Sequence, residues 1–215
     1  MTWSVFVEIA PHLLYGTIFT VVLAASALVI GTLAGVSVGL LRFVPSQSLT
    51  MAIGGVVEFI RAIPLLMLIF FIFFGLPSIG IDIPTFPAAI LALSLWMMAN
   101  ASEVVRGGIQ SIPPGQMEAA RSTGLSGIQA MRYVVFPQAV RRMLPPYIGL
   151  CTILIKDTSL AAIIGVLELT HTSQQLIART YFALEIYLLA AVIYFCLCYP
   201  LSVLARRVEA RLQRS

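Results

Sequence analysis

Residues 115–124 read "GQMEAARSTG", a polar, alanine-rich island with one acid and one arginine. The chain around it has 215 residues, 60% of them hydrophobic and only 10% charged. Mean hydropathy is +0.99, whereas about a quarter of the residues of a soluble domain are charged. The composition is that of an integral membrane protein. The island then poses the question that decides the fold: why so apolar a chain should keep one compact helical segment in water.

Uncharged runs occupy 9–41, 62–81, 83–102, 143–155 and 186–205. A helix crosses a hydrocarbon core of about 30 Å with about 20 apolar residues rising about 1.5 Å each. Four runs suffice, and 143–155 reaches that length only by continuing through Lys156 and Asp157 to about Val166, so one span carries charge. The reading is all-α: one transmembrane domain over 1–215, with spans about 12–41, 62–81, 83–105, 146–166 and 185–205. The start, "MTWSVFVEIAPHLLYG", has no basic residue and leads into a span, so it is expected to stay as a first helix rather than act as a secretory leader. Cys151, Cys196 and Cys198 fall within spans, which predicts packing roles rather than a disulfide framework or a metal site.

Basic residues mark the cytoplasmic side. Arg42 follows span 1, Arg106, Arg121, Arg132, Arg141 and Arg142 lie between spans 3 and 4, and Arg206, Arg207, Arg211 and Arg214 follow span 5. Ten of the thirteen basic residues thus share one side, which places the N-terminus outside, the C-terminus inside and the loop about 107–145 in the cytoplasm. Topology and anionic lipid headgroups account for the net charge of +4, so no nucleic-acid partner is expected.

Within that inner loop, Pro113-Pro114 stops span 3 and suits the first turn of a new helix, and Gly124 suits the left-handed residue that ends it. The helix so bounded is about ten residues and about 15 Å long. Ser126-x-x-Gln129 has capping-box spacing and begins a second helix, which Pro137 is expected to interrupt, and Pro145-Pro146 to open span 4. Ala119, Ala120, Ser122 and Gly124 beside the single acid Glu118 leave two readings: a knob that docks on another protein, or a solvated amphipathic connector.

Elsewhere, Ala27 and Gly31-x3-Gly35-x3-Gly39 line one face of span 1 with small residues, which lets another helix approach closely. Residues 43–61 are expected to run partly along the inner surface before span 2 rises near Ala62, with Pro64 kinking or starting it. Glu58 with Arg61, and Glu103 with Arg106, are i,i+3 neighbours that can pair. Asn100 can bond either a solute or a neighbouring helix. Lys156 lies ten residues beyond Pro146, about 15 Å deep, where an ionised group costs roughly 2.5–3.5 kcal/mol. Lys156 and Asp157 point about 100° apart, and Thr158 and Ser159 can satisfy backbone groups if the helix loosens there. The charges either hold span 4 as a buried pair or line a solute route. The polar stretch 167–185 is a candidate outer cap, and His171, with no clustered carboxylate, is not a zinc ligand.

Glu118-Ala119-Ala120, then Gly124 four residues after Ala120, then Val134-x-Phe136-Pro137, resembles the EAA loop of bacterial ABC-importer permeases, with valine and phenylalanine standing for isoleucine and leucine. "VEFIRAIPLLM", "SEVVRGGIQSIPPGQMEAAR", "FPQAVRRMLPP" and "KDTSLAAIIGVLEL" are similar, in order, to the polar amino acid uptake family of these permeases. The resemblance implies a five-transmembrane-helix, type I importer-like permease of a bacterial inner membrane, with a cytoplasmic coupling helix. It also implies a second permease copy or homologue, a cytoplasmic ABC ATPase dimer and a periplasmic or extracellular solute-binding protein, which would rest near Glu168, His171 and Arg179.

On that resemblance Gln116, Glu118, Ala119, Ala120, Gly124 and Leu125 couple to the ATPase. Glu58, Arg61, Asn100, Glu103, Lys156, Asp157, Thr158 and Ser159 flank the translocation path. The chain is expected to be non-catalytic, with no cofactor of its own and with ATP and Mg on the partner, since it has no G-x-x-x-x-G-K-[ST] loop. Glutamine, glutamate or aspartate as solute is left open. The alternative is a stand-alone channel or ion-coupled carrier using Lys156, Asp157 and Glu58. An intramembrane hydrolase would want paired aspartates or a Ser/His set in the membrane, and the aspartates are only Asp82 and Asp157.

Overall fold

A computed structural model describes residues 3–43 and 46–212, and these fold into helices joined by short turns. Arg214, the last of the basic residues counted above, lies outside them. Helix α1 spans Trp3–Leu41. Helix α2, Gln47–Ala62, starts on Ser46, whose hydroxyl accepts the Leu49 N–H, and buries only Val57. Ile63 is extended, as a residue before proline tends to be, and Pro64 starts α3, Leu65–Phe70. The chain bends by 101° here, so α2 lies crosswise to the next segment. Helix α3 continues through a π turn, Phe71–Gly75, and a 3-10 turn, Leu76–Ile79.

Helix α4, Thr85–Gln110, is followed by the short α5, Pro114–Ser122, and α6, Gly127–Ala130. A π turn over Met131–Val135 joins α6 to α7, Phe136–Asp157, which tightens into a 3-10 segment, Thr158–Ile164. Helix α8 is Leu169–Thr180 and α9 is Ala183–Leu212. Segments 5–41, 85–110, 127–164 and 183–212 are each long and apolar enough to cross a membrane, and the α2–α3 pair passes the same test only when taken together across its bend.

Three prolines behave differently from the expectation. Pro137 does not interrupt the helix: the π turn before it lets the Phe136 N–H donate to Met131 O, five residues back, and this wider turn makes room for a ring that lacks an N–H. Pro145 and Pro146 do not open span 4 but lie inside α7. The helix that carries this span therefore starts upstream of both prolines and runs on through them.

Helices α1 and α4 form the central contact, and the small-residue face explains how closely they cross. A Cβ placed on Gly31 would stand 2.8 Å from Ser94 O, one on Gly35 2.8 Å from Met98 O, and one on Gly39 2.9 Å from Ser102 O. These obstacles are backbone, so no side-chain rotation relieves them. Gly35→Leu is accordingly expected to force the helices apart and destabilise the fold by about 1–3 kcal/mol or more. An unchanged thermal midpoint in detergent would contradict this packing.

Three apolar clusters follow the bundle's length. The middle one joins Leu23 and Ala27 of α1 to Ile69, Leu93, Met97 and Leu154. At the α8 end, Ile9 and Leu13 pack with Leu169, Leu176 and Ile186. At the α5 end, Val105, Ile109 and Ile112 meet Val135, Ala139 and Met143, with Met117 against them. The last cluster holds α5 to the membrane helices.

Candidate coupling surface and solute path

Helix α5 begins with Pro114 in its first turn, where a missing N–H costs nothing. It ends on Gly124 at φ +90°, with the Gly124 N–H on Arg121 O at 3.0 Å and the Leu125 N–H on Ala120 O at 3.4 Å. This paired arrangement needs a left-handed residue, which glycine supplies without strain. Ser126 and Gln129 then cap α6 reciprocally, Ser126 N to Gln129 Oε1 at 2.8 Å and Gln129 N to Ser126 Oγ at 3.3 Å. Both ends of the island are thus fixed by local chemistry.

Its faces divide cleanly. Gln116, Glu118, Ala119 and Gly124 are exposed, Leu125 is half-buried, and Ala120 is buried. Ala120 is buried and Met117 packs against the apolar cluster of α4 and α7, so this face of the helix turns toward the rest of the chain. Gln116 also accepts from Gln138 Nε2 at 3.0 Å, tying α5 to α7. Glu118 makes no ion pair among the described residues.

Beyond α5, charges gather where α1, α2 and α4 end. Glu103 accepts from Arg42 Nη1 at 2.9 Å and from Arg106 Nε at 2.9 Å, and Arg61 Nη1 lies 3.9 Å away. Arg106 also bonds Gln110. Arg61 pairs with Glu58 at 3.0 Å, but the Glu58 side chain is 73% exposed. Three guanidinium groups against two carboxylates leave one positive charge, and the Arg42 Nε is buried without a partner. The spacing of Glu103 and Arg106 foretold their pairing; it could not foretell Arg42, which lies 61 residues from Glu103.

Hydrogen bonds to charged groups contribute about 1.5–3 kcal/mol, whereas exposed pairs contribute about 0.2–1 kcal/mol. Glu103→Gln should therefore lower the thermal midpoint clearly more than Glu58→Gln. Equal shifts would show that Glu103 does not bind these helix ends together.

A cavity of about 440 Å³ opens beside this cluster, lined by Arg61, Asn100, Glu103, Ser111, Arg142 and Leu150 among others. Asn100 bonds neither a neighbouring helix nor, within this chain, another side chain: its Nδ2 donates to Trp96 O of its own helix at 2.9 Å. Arg142, bound to Ser111 O, was no candidate from sequence. Its place in a run of basic residues hid it among topology markers.

Lys156 and Asp157 stand apart from the cavity. Fourteen residues of helix separate Arg142 from Lys156, about 21 Å, and Ile155 lies level with Ala24 and Leu28 of α1. Lys156 is exposed and Asp157 half-buried, and neither forms an ion pair among the described residues. The buried-pair reading thus has no partner among the described residues. The helix does not loosen after Asp157 but tightens, Thr158 Oγ1 donating to Ile155 O at 2.7 Å. Thr158 is buried and Ser159 half-buried, so Thr158 is not open to a solute here.

At the α8 end, Glu168 is fully buried and cannot be an outer contact. It caps α8, accepting the Thr170 N–H at 2.9 Å and the His171 N–H at 2.7 Å, and it also accepts from Tyr194 Oη at 2.9 Å. Burial pushes its carboxyl above the ordinary range, against the lowering pull of these donors. Leu169 N donates to Thr20 Oγ1 at 3.0 Å. The polar stretch is thus a helix latched to α1 and α9, with Arg179 and Tyr181 on its exposed side. No cluster of three metal-ligating side chains occurs among the described residues.

Residues 27–214 match the protein family described as binding-protein-dependent transport system inner membrane component. The chain belongs to this family. As such a permease it resembles "Probable glutamine ABC transporter permease protein GlnP" of Bacillus subtilis, 44% identical over 200 residues and 91% of each chain. It also resembles the nopaline transport system permease protein NocM of Agrobacterium fabrum, 37% identical over 97% of this chain and 91% of that one. A crystal structure described as an amino acid ABC transporter with histidines superposes with a TM-score of 0.91 at 33% identity, over 98% of this permease and 99% of that chain. The permease is a multi-pass membrane protein of a transport system, and the stand-alone channel or carrier is set aside.

Proposed function

We propose that the permease forms the membrane path of an ATP-driven amino acid importer of the bacterial inner membrane, and that α5 is the helix through which a cytoplasmic ABC ATPase dimer moves it. The carrying observation is a capped nine-residue helix that projects Glu118 and Ala119 outward while Ala120 and Met117 fix it to the spans. Force applied to such a helix reaches α4 and α7 through their shared apolar cluster. ATP and Mg belong to the ATPase, and this chain contributes no catalytic group. A second permease copy or homologue completes the path, and an external solute-binding protein delivers the solute at the α8 end, near Arg179. The N-terminus then lies outside and the C-terminus inside, as the arginine distribution requires.

In the path, Lys156 and Asp157 offer one cation and one anion at mid-depth, which suits the carboxylate and ammonium of an amino acid. Asn100, Arg61 and Glu103 border the cavity nearer α5. Glutamine is the solute named for one relative and nopaline that for another, and the residues here recognise what both share as amino acid derivatives. Vesicles carrying the permease and its ATPase, with the solute-binding protein and a labelled amino acid supplied outside, test the assignment. Uptake that needs internal nucleotide supports it, and uptake without nucleotide refutes it.

A further inference from the structure

Beside α5 lies an apolar groove with two arginines at one end. One cavity, about 590 Å³, is lined by Leu40, Phe43, Met117 and Ile128 and flanked by Arg121 and Arg132. A second, about 190 Å³, lies further along α1 and α7 between Val36, Val140, Leu144 and Tyr147. The two share Phe136. Along α7 the groove runs from Arg132 to Tyr147, fifteen residues or about 22 Å, about the length of an extended acyl chain. Leu40, Ile128 and Leu144 on its walls are exposed apolar side chains, and its charged mouth lies at the α5 end. The hydroxyls of Thr32 and Tyr147 bond each other at 2.7 Å, so even the polar atoms there are closed off.

The mouth is unbalanced. Neither Arg121 nor Arg132 has a carboxylate within 4 Å among the described residues, and Arg132 instead stacks over Tyr133 at 5.7 Å. Two guanidinium groups without counter-ions at the end of an apolar cleft fit a phosphate joined to hydrocarbon. We propose that this groove binds one anionic phospholipid, its phosphate between Arg121 and Arg132 and one chain along Phe136, Val140 and Leu144. Arg121 is in the last turn of α5, so the bound lipid braces the coupling helix against α6 and α7. Anionic lipid thereby sets how firmly α5 is held.

Native mass spectrometry of the full-length permease released from detergent provides the test, with phosphatidylglycerol and phosphatidylcholine of identical chains as probes. Each basic group near an anionic headgroup strengthens binding several-fold, so the two arginines should favour phosphatidylglycerol by about 10- to 30-fold. Arg121→Gln with Arg132→Gln should erase the preference, whereas Arg121→Lys with Arg132→Lys should keep most of it, which separates charge from misfolding. Glycerophosphoglycerol, which lacks the chains, should not compete. Equal retention of the two lipids, a surviving preference in the glutamine pair, or full competition by the chain-free headgroup would each overturn the proposal. So would photo-crosslinking from position 128 in the assembled transporter that captures the ATPase instead of lipid. Failure of this site leaves the importer assignment standing, because nucleotide-dependent uptake is read separately.

Discussion

Glu118→Lys is expected to abolish ATP-driven uptake and to weaken binding of the ATPase at least about 30-fold, since truncating or reversing one member of a desolvated charge pair at an interface costs about 2–5 kcal/mol. The expectation rests on how α5 is built. Glu118 is exposed and forms no ion pair among the described residues. Its replacement should leave the permease's own thermal midpoint unchanged. Ala120→Leu is the internal comparison: it crowds a buried position under α5 and should lower that midpoint, while Glu118→Lys should not. Pull-down of the ATPase by each variant, with uptake in vesicles, reads both effects. Normal ATPase binding and uptake by Glu118→Lys would remove α5 from the coupling role.

Lys156→Met should abolish uptake while leaving assembly intact. The span boundaries read from the sequence put the ammonium about 15 Å deep, and it is exposed and without an ion-pair partner among the described residues. Methionine fills a similar volume and spares the roughly 2.5–3.5 kcal/mol that an ionised side chain costs near a bilayer centre. Insertion and folding should therefore hold or improve, and only a function that needs the charge should fail. Blue-native electrophoresis of the complex together with amino acid uptake checks both halves. Loss of the assembled complex would instead mean that Lys156 pairs across the interface with the second permease, a structural role. Uptake at the ordinary rate would remove Lys156 from the path altogether.

What could be read beforehand was local. Pro113-Pro114, Gly124 and the Ser126/Gln129 pair act over three or four residues, and each does in the structure what its chemistry dictates. The glycine spacing in α1 announced a close helix crossing, though not that α4 was the partner. The prolines misled for a physical reason. Loss of one N–H does not end a helix when neighbouring helices pack around the unpaired carbonyl or the turn widens to five residues, as before Pro137.

The candidate site was only half legible for the same reason. Residue types pointed to Glu103, Arg61 and Asn100, but only the structure shows that Ala120 and Glu168 are buried. Arg42, Arg142 and Tyr194 acquired roles through partners 26 to 61 residues away.

The order of residues by itself determined that this chain lives in lipid and that one short polar helix separates its long apolar ones, because hydrophobic length, capping and turn preference are set by near neighbours. Tertiary structure alone decided which face of that helix is free, which arginines share a carboxylate, and where two unpaired guanidinium groups meet an apolar groove. Those outcomes depend on distances between atoms far apart in the chain, which no local preference encodes.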